Sequence, residues 1–73
     1  MAQYSEIRAQ RLKAICTELK TESKELDFRW FFGTKSVLYG LKRETLQSYF
    51  DDLVDAQKIE INVVKNTIKY IGG

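Results

Sequence analysis

Histidine and proline are absent from this 73-residue chain, and cysteine occurs once, at Cys16. Without histidine, and with a single thiol, neither a zinc finger nor the other usual metal sites can be assembled. A lone cysteine also has no partner for an internal disulfide, which points to a reducing, intracellular setting. No stretch approaches the roughly 18 apolar residues of a membrane span. The first ten residues, MAQYSEIRAQ, are polar and acquire charge at once, unlike a signal peptide. The expected location is the cytoplasm.

Catalytic signatures are missing too. There is no nucleophile elbow, no glycine-rich phosphate loop and no metal-ligand cluster. Asp51 and Asp52 are neighbours on what reads as a helix, so they point in different directions and make no acid/base pair. The expectation is a protein that is not an enzyme and takes no cofactor, metal or small-molecule substrate.

Charge of one sign is scarce. Twelve Lys and Arg stand against ten Asp and Glu, for a net charge of +2. That balance permits nucleic-acid binding without arguing for it. The placement of the charges must decide. Hydrophobic residues at 44% and charged residues at 30% fit a globular domain and not a disordered tail. The length suggests one domain over residues 1–73. Such a domain buries only about 60% of its unfolded surface, so it needs a tight core or a second subunit.

Four elements are legible. Tyr4, Ile7, Leu12, Ile15, Cys16 and Leu19 share one side of a helix over about residues 4–20, with Ser5 as its N-cap. Cys16, on this stripe, reads as a small buried hydrophobe. Arg8, Arg11 and Lys13 fall mainly outside it and read as a solvated face. Next, a short extended segment near residues 26–28 leads into a second helix. There Phe28, Phe31 and Phe32 have helical spacing, and Gly40 ends the helix in the left-handed conformation. The aromatic cluster FRWFF reads as core or dimer interface. A third helix over about residues 43–56 carries Leu46, Tyr49, Phe50 and Leu53 at i, i+3, i+4 and i+7. Last comes a hairpin, with Val64 opposite Thr67, Val63 opposite Ile68 and Ile61 opposite Tyr70 about a Lys65-Asn66 turn. This register places Ile59, Ile61, Val63, Ile68 and Tyr70 on one face. The hairpin must pack on the helices, because a lone two-stranded ribbon is not stable in water.

The order helix, helix, turn, helix, hairpin resembles the winged helix-turn-helix family, and so does the stretch GLKRETLQSYFDDLVDAQKIEI. Gly40 and Leu41 match the family's turn. Thr45 and Leu46 match the polar-then-apolar pair early in its recognition helix, and Phe50 and Leu53 match its buried positions. Residues 54–59 match the exit into the wing. The departures are Lys42, where the family often has Ser, Thr or Asn, and Gln57, where it usually has Gly. The resemblance implies an α+β fold, three helices followed by a C-terminal β-hairpin wing. It also implies double-stranded DNA as partner and a homodimeric transcriptional regulator, like the compact regulators of viruses, plasmids and archaea. Such a protein would be nucleoid-associated.

In that family the tip of the recognition helix enters the major groove. The resemblance therefore makes Lys42, Arg43 and Gln47 candidates for phosphates or base edges, and Thr45 and Ser48 donors to phosphate oxygens. Lys65, Asn66 and Lys69 would follow the backbone or minor groove from the wing. Lys35 and Ser36 would add a third phosphate contact. From Lys42 to Asp55 the charges are Lys42 and Arg43 against Glu44, Asp51, Asp52 and Asp55, or 2 − 4 = −2. The aspartates lie in the back half, so a basic tip is compatible with end-on docking. The rival reading is a protein-interaction module that binds no DNA, with this acidic half and the exposed aromatics as its binding face.

Overall fold

A computed structural model describes residues 4–72, with side chains from Glu6 onward. The chain runs α1 (Tyr4–Glu22), β1 (Leu26–Asp27), α2 (Phe28–Tyr39), α3 (Arg43–Asp55), β2 (Ile59–Asn62), β3 (Thr67–Tyr70). It is an α+β fold of three helices and a small antiparallel sheet in the order β1-β3-β2. Tyr4 lies in α1, so Ser5 falls inside the helix and not at its cap. The side chains of Tyr4 and Ser5 lie outside the described residues.

Local chemistry sets the boundaries. Ser23 takes φ 51°, and its N–H donates to the Leu19 carbonyl, which closes α1. Asp27 caps α2: its Oδ2 accepts the Trp30 N–H at 2.7 Å. Gly40, at φ 63°, ends α2 in the left-handed region where glycine has no steric penalty. The α2–α3 turn is held by Ser36, whose Oγ donates to the Leu41 carbonyl at 3.0 Å. Lys42 starts α3 without a side-chain cap. Gln57 follows α3 at φ 60°, a conformation that favours glycine.

The apolar periodicities meet in one core. Ile15 and Leu19 from α1, Phe31 and Phe32 from α2, and Leu46, Tyr49, Phe50 and Leu53 from α3 are buried with Ile59 and Ile68 of the sheet. Phe50 is the hub of the α2–α3 contact. Its ring lies 5.7, 6.1 and 5.5 Å from the rings of Phe28, Phe31 and Phe32. Trp30 departs from the aromatic-core expectation, since 58% of it is exposed. Cys16 is half-buried, and burial pushes its thiol above the ordinary 9.0 against the opposing pull of Lys58.

Two expectations are corrected. The hairpin pairs Ile61 with Ile68 and Ile59 with Tyr70, two residues away from the expected register. A shift of two keeps every side chain on its expected face, but it takes Val63 and Val64 out of the strands and into a four-residue turn over 63–66. The longer turn is stabilised by Asn62, whose Oδ1 accepts the Lys65 N–H at 2.9 Å, and by Asn66 at φ 58°. Second, Arg8 and Arg11 are not merely solvated. Arg8 lies 4.3 Å over the Tyr49 ring and pairs with Asp52. Arg11 donates to the Tyr49 hydroxyl at 3.4 Å and stacks on Tyr39. These contacts fasten α1 to α3. Among the described residues, no helix is long and apolar enough to cross a membrane.

Candidate nucleic-acid interface

The start of α2, the tip of α3 and the hairpin turn enclose an open groove of about 570 Å³. Phe28 and Phe32 line it with Arg29, Gly33, Arg43, Gln47, Val63 and Asn66. Each wall has a local origin. Phe28, Phe31 and Phe32 turn inward at i, i+3 and i+4, so Arg29 and Trp30 are forced outward. Leu46, Phe50 and Leu53 turn inward on α3, which leaves Arg43 and Gln47 at the groove.

Asn66 ties the third wall to the first. Its side-chain Oδ1 accepts the Arg29 N–H at 3.2 Å, and its Nδ2 donates to Asp27 at 2.8 Å. Its backbone carbonyl accepts the Phe28 N–H at 2.9 Å. β1 pairs with β3 beside it, Asp27 opposite Thr67. The hairpin turn is therefore laced to the first turn of α2.

The groove is basic at one end. Among the described residues Arg29, Lys42, Arg43 and Lys65 form no ion pair. The Arg43 guanidinium sits 5.5 Å from the Phe32 ring centroid, a cation–π contact that leaves its edge N–H groups free to donate. Gln47 is braced by a 3.0 Å bond from its Nε2 to Asp51. Asp51 lies eight residues beyond Arg43, about 12 Å along the axis at 1.5 Å per residue. Asp51, Asp52 and Asp55 are exposed along the back half of α3, and Asp52 is drawn toward α1 by Arg8.

The sequence-based candidates divide. Arg43, Gln47 and Asn66 line the groove, and Lys42 and Lys65 are exposed beside them. The other five lie elsewhere. Lys35 is 5% exposed, and its ammonium pairs with Glu18 of α1. The Ser36 hydroxyl is used in the α2–α3 turn. Ser48 donates to the Thr45 carbonyl at 2.6 Å and accepts from Arg8, so it faces α1. Thr45 is half-buried. Lys69 faces Glu60 across the hairpin, 3.8 Å away.

Arg29 was missed by sequence reasoning. Its signal was present: three inward phenylalanines around it leave an arginine no direction but out. Among the described residues no group of His, Cys, Asp or Glu could hold a metal ion. Comparison with family models, with curated proteins and with solved structures yields no match.

Proposed function

We propose that this chain is a small winged helix-turn-helix protein that binds double-stranded DNA and regulates transcription by occupancy. One observation carries the reading: among the described residues Arg29 and Arg43, both without ion pairs, line one groove between the start of α2, the tip of α3 and the hairpin turn, and the exposed, unpaired Lys42 and Lys65 adjoin its lining residues Arg43 and Asn66 in the chain. The element order and the three-residue connection between α2 and α3 support it.

In this reading α3 enters the major groove by its tip. Arg43 and Gln47 reach base edges, where arginine reads guanine and glutamine reads adenine. Arg29 and Lys42 meet phosphates, and Lys65 follows the backbone beside the hairpin. Lys35, Ser36, Ser48 and Lys69 are engaged in the fold and Thr45 is half-buried, and these five are left out of the contact set. End-on docking also keeps Asp51 and Asp55 at a distance from phosphates, which lying flat on the duplex would not.

The test is fluorescence anisotropy of a labelled mixed-sequence duplex over a range of salt. The three phosphate contacts, Arg29, Lys42 and Lys65, give a slope of about −2.7 in log K against log salt, at 0.9 per phosphate. Arg43→Glu is expected to weaken binding at least tenfold with an unchanged circular dichroism spectrum. Wild-type affinity in Arg43→Glu would remove the α3 tip from the interface. No binding at low salt would leave the protein-interaction module as the reading.

A further inference from the structure

We propose that the outer face of α2 is the surface through which two copies of this chain meet, as antiparallel helices crossing at Gly33. The inference goes beyond DNA binding and does not rest on it.

Helix α2 is apolar on its outer face as well as its inner one, unlike an ordinary surface helix, whose outer face is charged. Between Trp30 and Tyr39 the only charged residue is Lys35, and it is turned inward. The outward residues are Trp30, Val37 and Leu38, exposed by 58, 84 and 64%. Together with Arg29, Gly33 and Thr34 they line one shallow cleft. The Thr34 hydroxyl is already bonded to the Trp30 carbonyl at 2.7 Å. From Trp30 to Leu38 this face therefore offers almost no polar group, with Arg29 standing at its edge.

Gly33 has no explanation within the chain. A glycine inside a helix costs about 1 kcal/mol relative to alanine. A Cβ at this position would meet nothing within 4 Å, and the backbone is not left-handed. Neither packing nor turn geometry of this chain requires it. What glycine does provide is a flat place where a second backbone can approach closely.

The spacing is self-complementary. Trp30 precedes the point between Gly33 and Thr34 by one turn, and Val37 follows it by one turn, each about 5 Å along the axis. An antiparallel twofold crossing there places each Trp30 on Val37 and Leu38 of the other copy. The glycines at the centre let the helices close up. Such an isologous patch satisfies itself without a second kind of surface. Its size sets its strength. Six residues are few against the 20–30 a side of a standard interface. The contact is thus weak in free solution and strengthens when a shared duplex holds two copies side by side.

Trp30 is the single tryptophan of the chain, so its fluorescence reads the contact directly. The experiment combines sedimentation velocity with tryptophan emission from micromolar to millimolar protein, for wild type and Gly33→Gln. Wild type is expected to rise toward twice the single-chain mass, with emission moving to shorter wavelength in step. Gly33→Gln is expected to weaken association at least tenfold while unfolding at the same or a higher temperature. Val37→Lys, exposed in the single chain, is expected to weaken it similarly. Wild type remaining a single chain at its highest soluble concentration overturns the proposal. So does association with unchanged emission, or association of Gly33→Gln equal to wild type. If Leu38→Ser, in the cleft but outside the groove at the α3 tip, instead loses DNA affinity at concentrations where wild type is a single chain, the cleft is a DNA contact and the proposal fails.

Discussion

The carboxamide of Asn66 donates to the carboxylate of Asp27 at 2.8 Å, joining residues 39 apart in sequence. The other oxygen of that carboxylate caps the Trp30 N–H, and Asn66 also accepts the Arg29 N–H. One polar pair thus fixes the hairpin turn against the first turn of α2 and sets the width of the groove.

Asn66 serves twice, through its side chain and through its φ of 58°. Asn66→Ala loses about 1 kcal/mol of hydrogen bonding and adds about 1 kcal/mol of left-handed strain. Asn66→Gly keeps the backbone relaxed and loses only the first. Urea unfolding midpoints should fall in the order wild type, Asn66→Gly, Asn66→Ala. Equal midpoints for wild type and Asn66→Gly would show that the side-chain bonds contribute nothing.

Lys35 and Glu18 form an unequal pair, with the ammonium side chain 7% exposed and the carboxylate side chain 40%. Replacing the lysine by an apolar side chain of similar shape is close to neutral, whereas stranding it is not. Lys35→Met should leave stability within about 1 kcal/mol. Glu18→Ala should cost about 1–2 kcal/mol, less than for a fully buried pair because water reaches the glutamate. Both variants should bind duplex DNA as wild type does. A loss of affinity in Lys35→Met would return Lys35 to the interface.

Gln57 holds φ 60° after α3. Gln57→Gly relieves strain of about 1 kcal/mol, partly offset by the greater freedom of glycine in the unfolded chain. Thermal unfolding should rise by a few degrees, since about 1 kcal/mol moves a domain of this size by about 4–8 °C. A fall in Tm would mean that the Gln57 side chain makes a compensating contribution.

Burial raises the Cys16 thiol above 9.0 and the Tyr39 hydroxyl above 10.0. For Tyr39, Lys35 opposes the shift and Glu18 adds to it. Both groups keep their proton longer in the folded chain than in the unfolded one. As pH rises past the unfolded values, the unfolded chain ionises first, so stability falls. Stability should hold from neutrality to about pH 9 and decline beyond it. Cys16→Ala with Tyr39→Phe should decline less as pH rises past 9.0 and then 10.0, measured by urea midpoints. An equal decline would assign the alkaline loss to other groups.

Base-reading and phosphate-contacting residues separate by their signatures. Gln47→Ala should cost about 1–3 kcal/mol on the preferred site and relax preference at one base position. Lys65→Ala should weaken binding across all duplexes alike and reduce the salt slope by about 1. Lys69→Ala, which loses only the Glu60 pairing, should change neither. Competition against a panel of duplex sequences distinguishes these outcomes.

Much of the architecture was legible before any coordinates. The i, i+3, i+4, i+7 series from Leu46 to Leu53 placed α3 and its buried face, because a 3.6-residue period admits one apolar stripe. Gly40 marked the end of α2 for the same kind of local reason. The hairpin faces were legible but the register was not. A slip of two preserves the faces, and the longer turn is held by the Asn62–Lys65 bond and by the lacing of Asn66 to α2. The pairing of β1 with β3 escaped detection because two residues carry no periodicity.

The candidate site was legible only in part. Lys42, Arg43, Gln47, Lys65 and Asn66 sit where local structure already directs them, at a helix start and a turn. Lys35 and Ser48 looked equally available, but Glu18 and Arg8 of α1 engage them across long sequence separations. Local propensity and periodicity depend on neighbours within a few residues, so the elements and their apolar faces follow from the order of residues alone. Which charges stay free depends on which elements meet. The packing of α1, α2, α3 and the hairpin brings Arg29 to Arg43 at one groove, and turns the lysine of α2 inward and its tryptophan out.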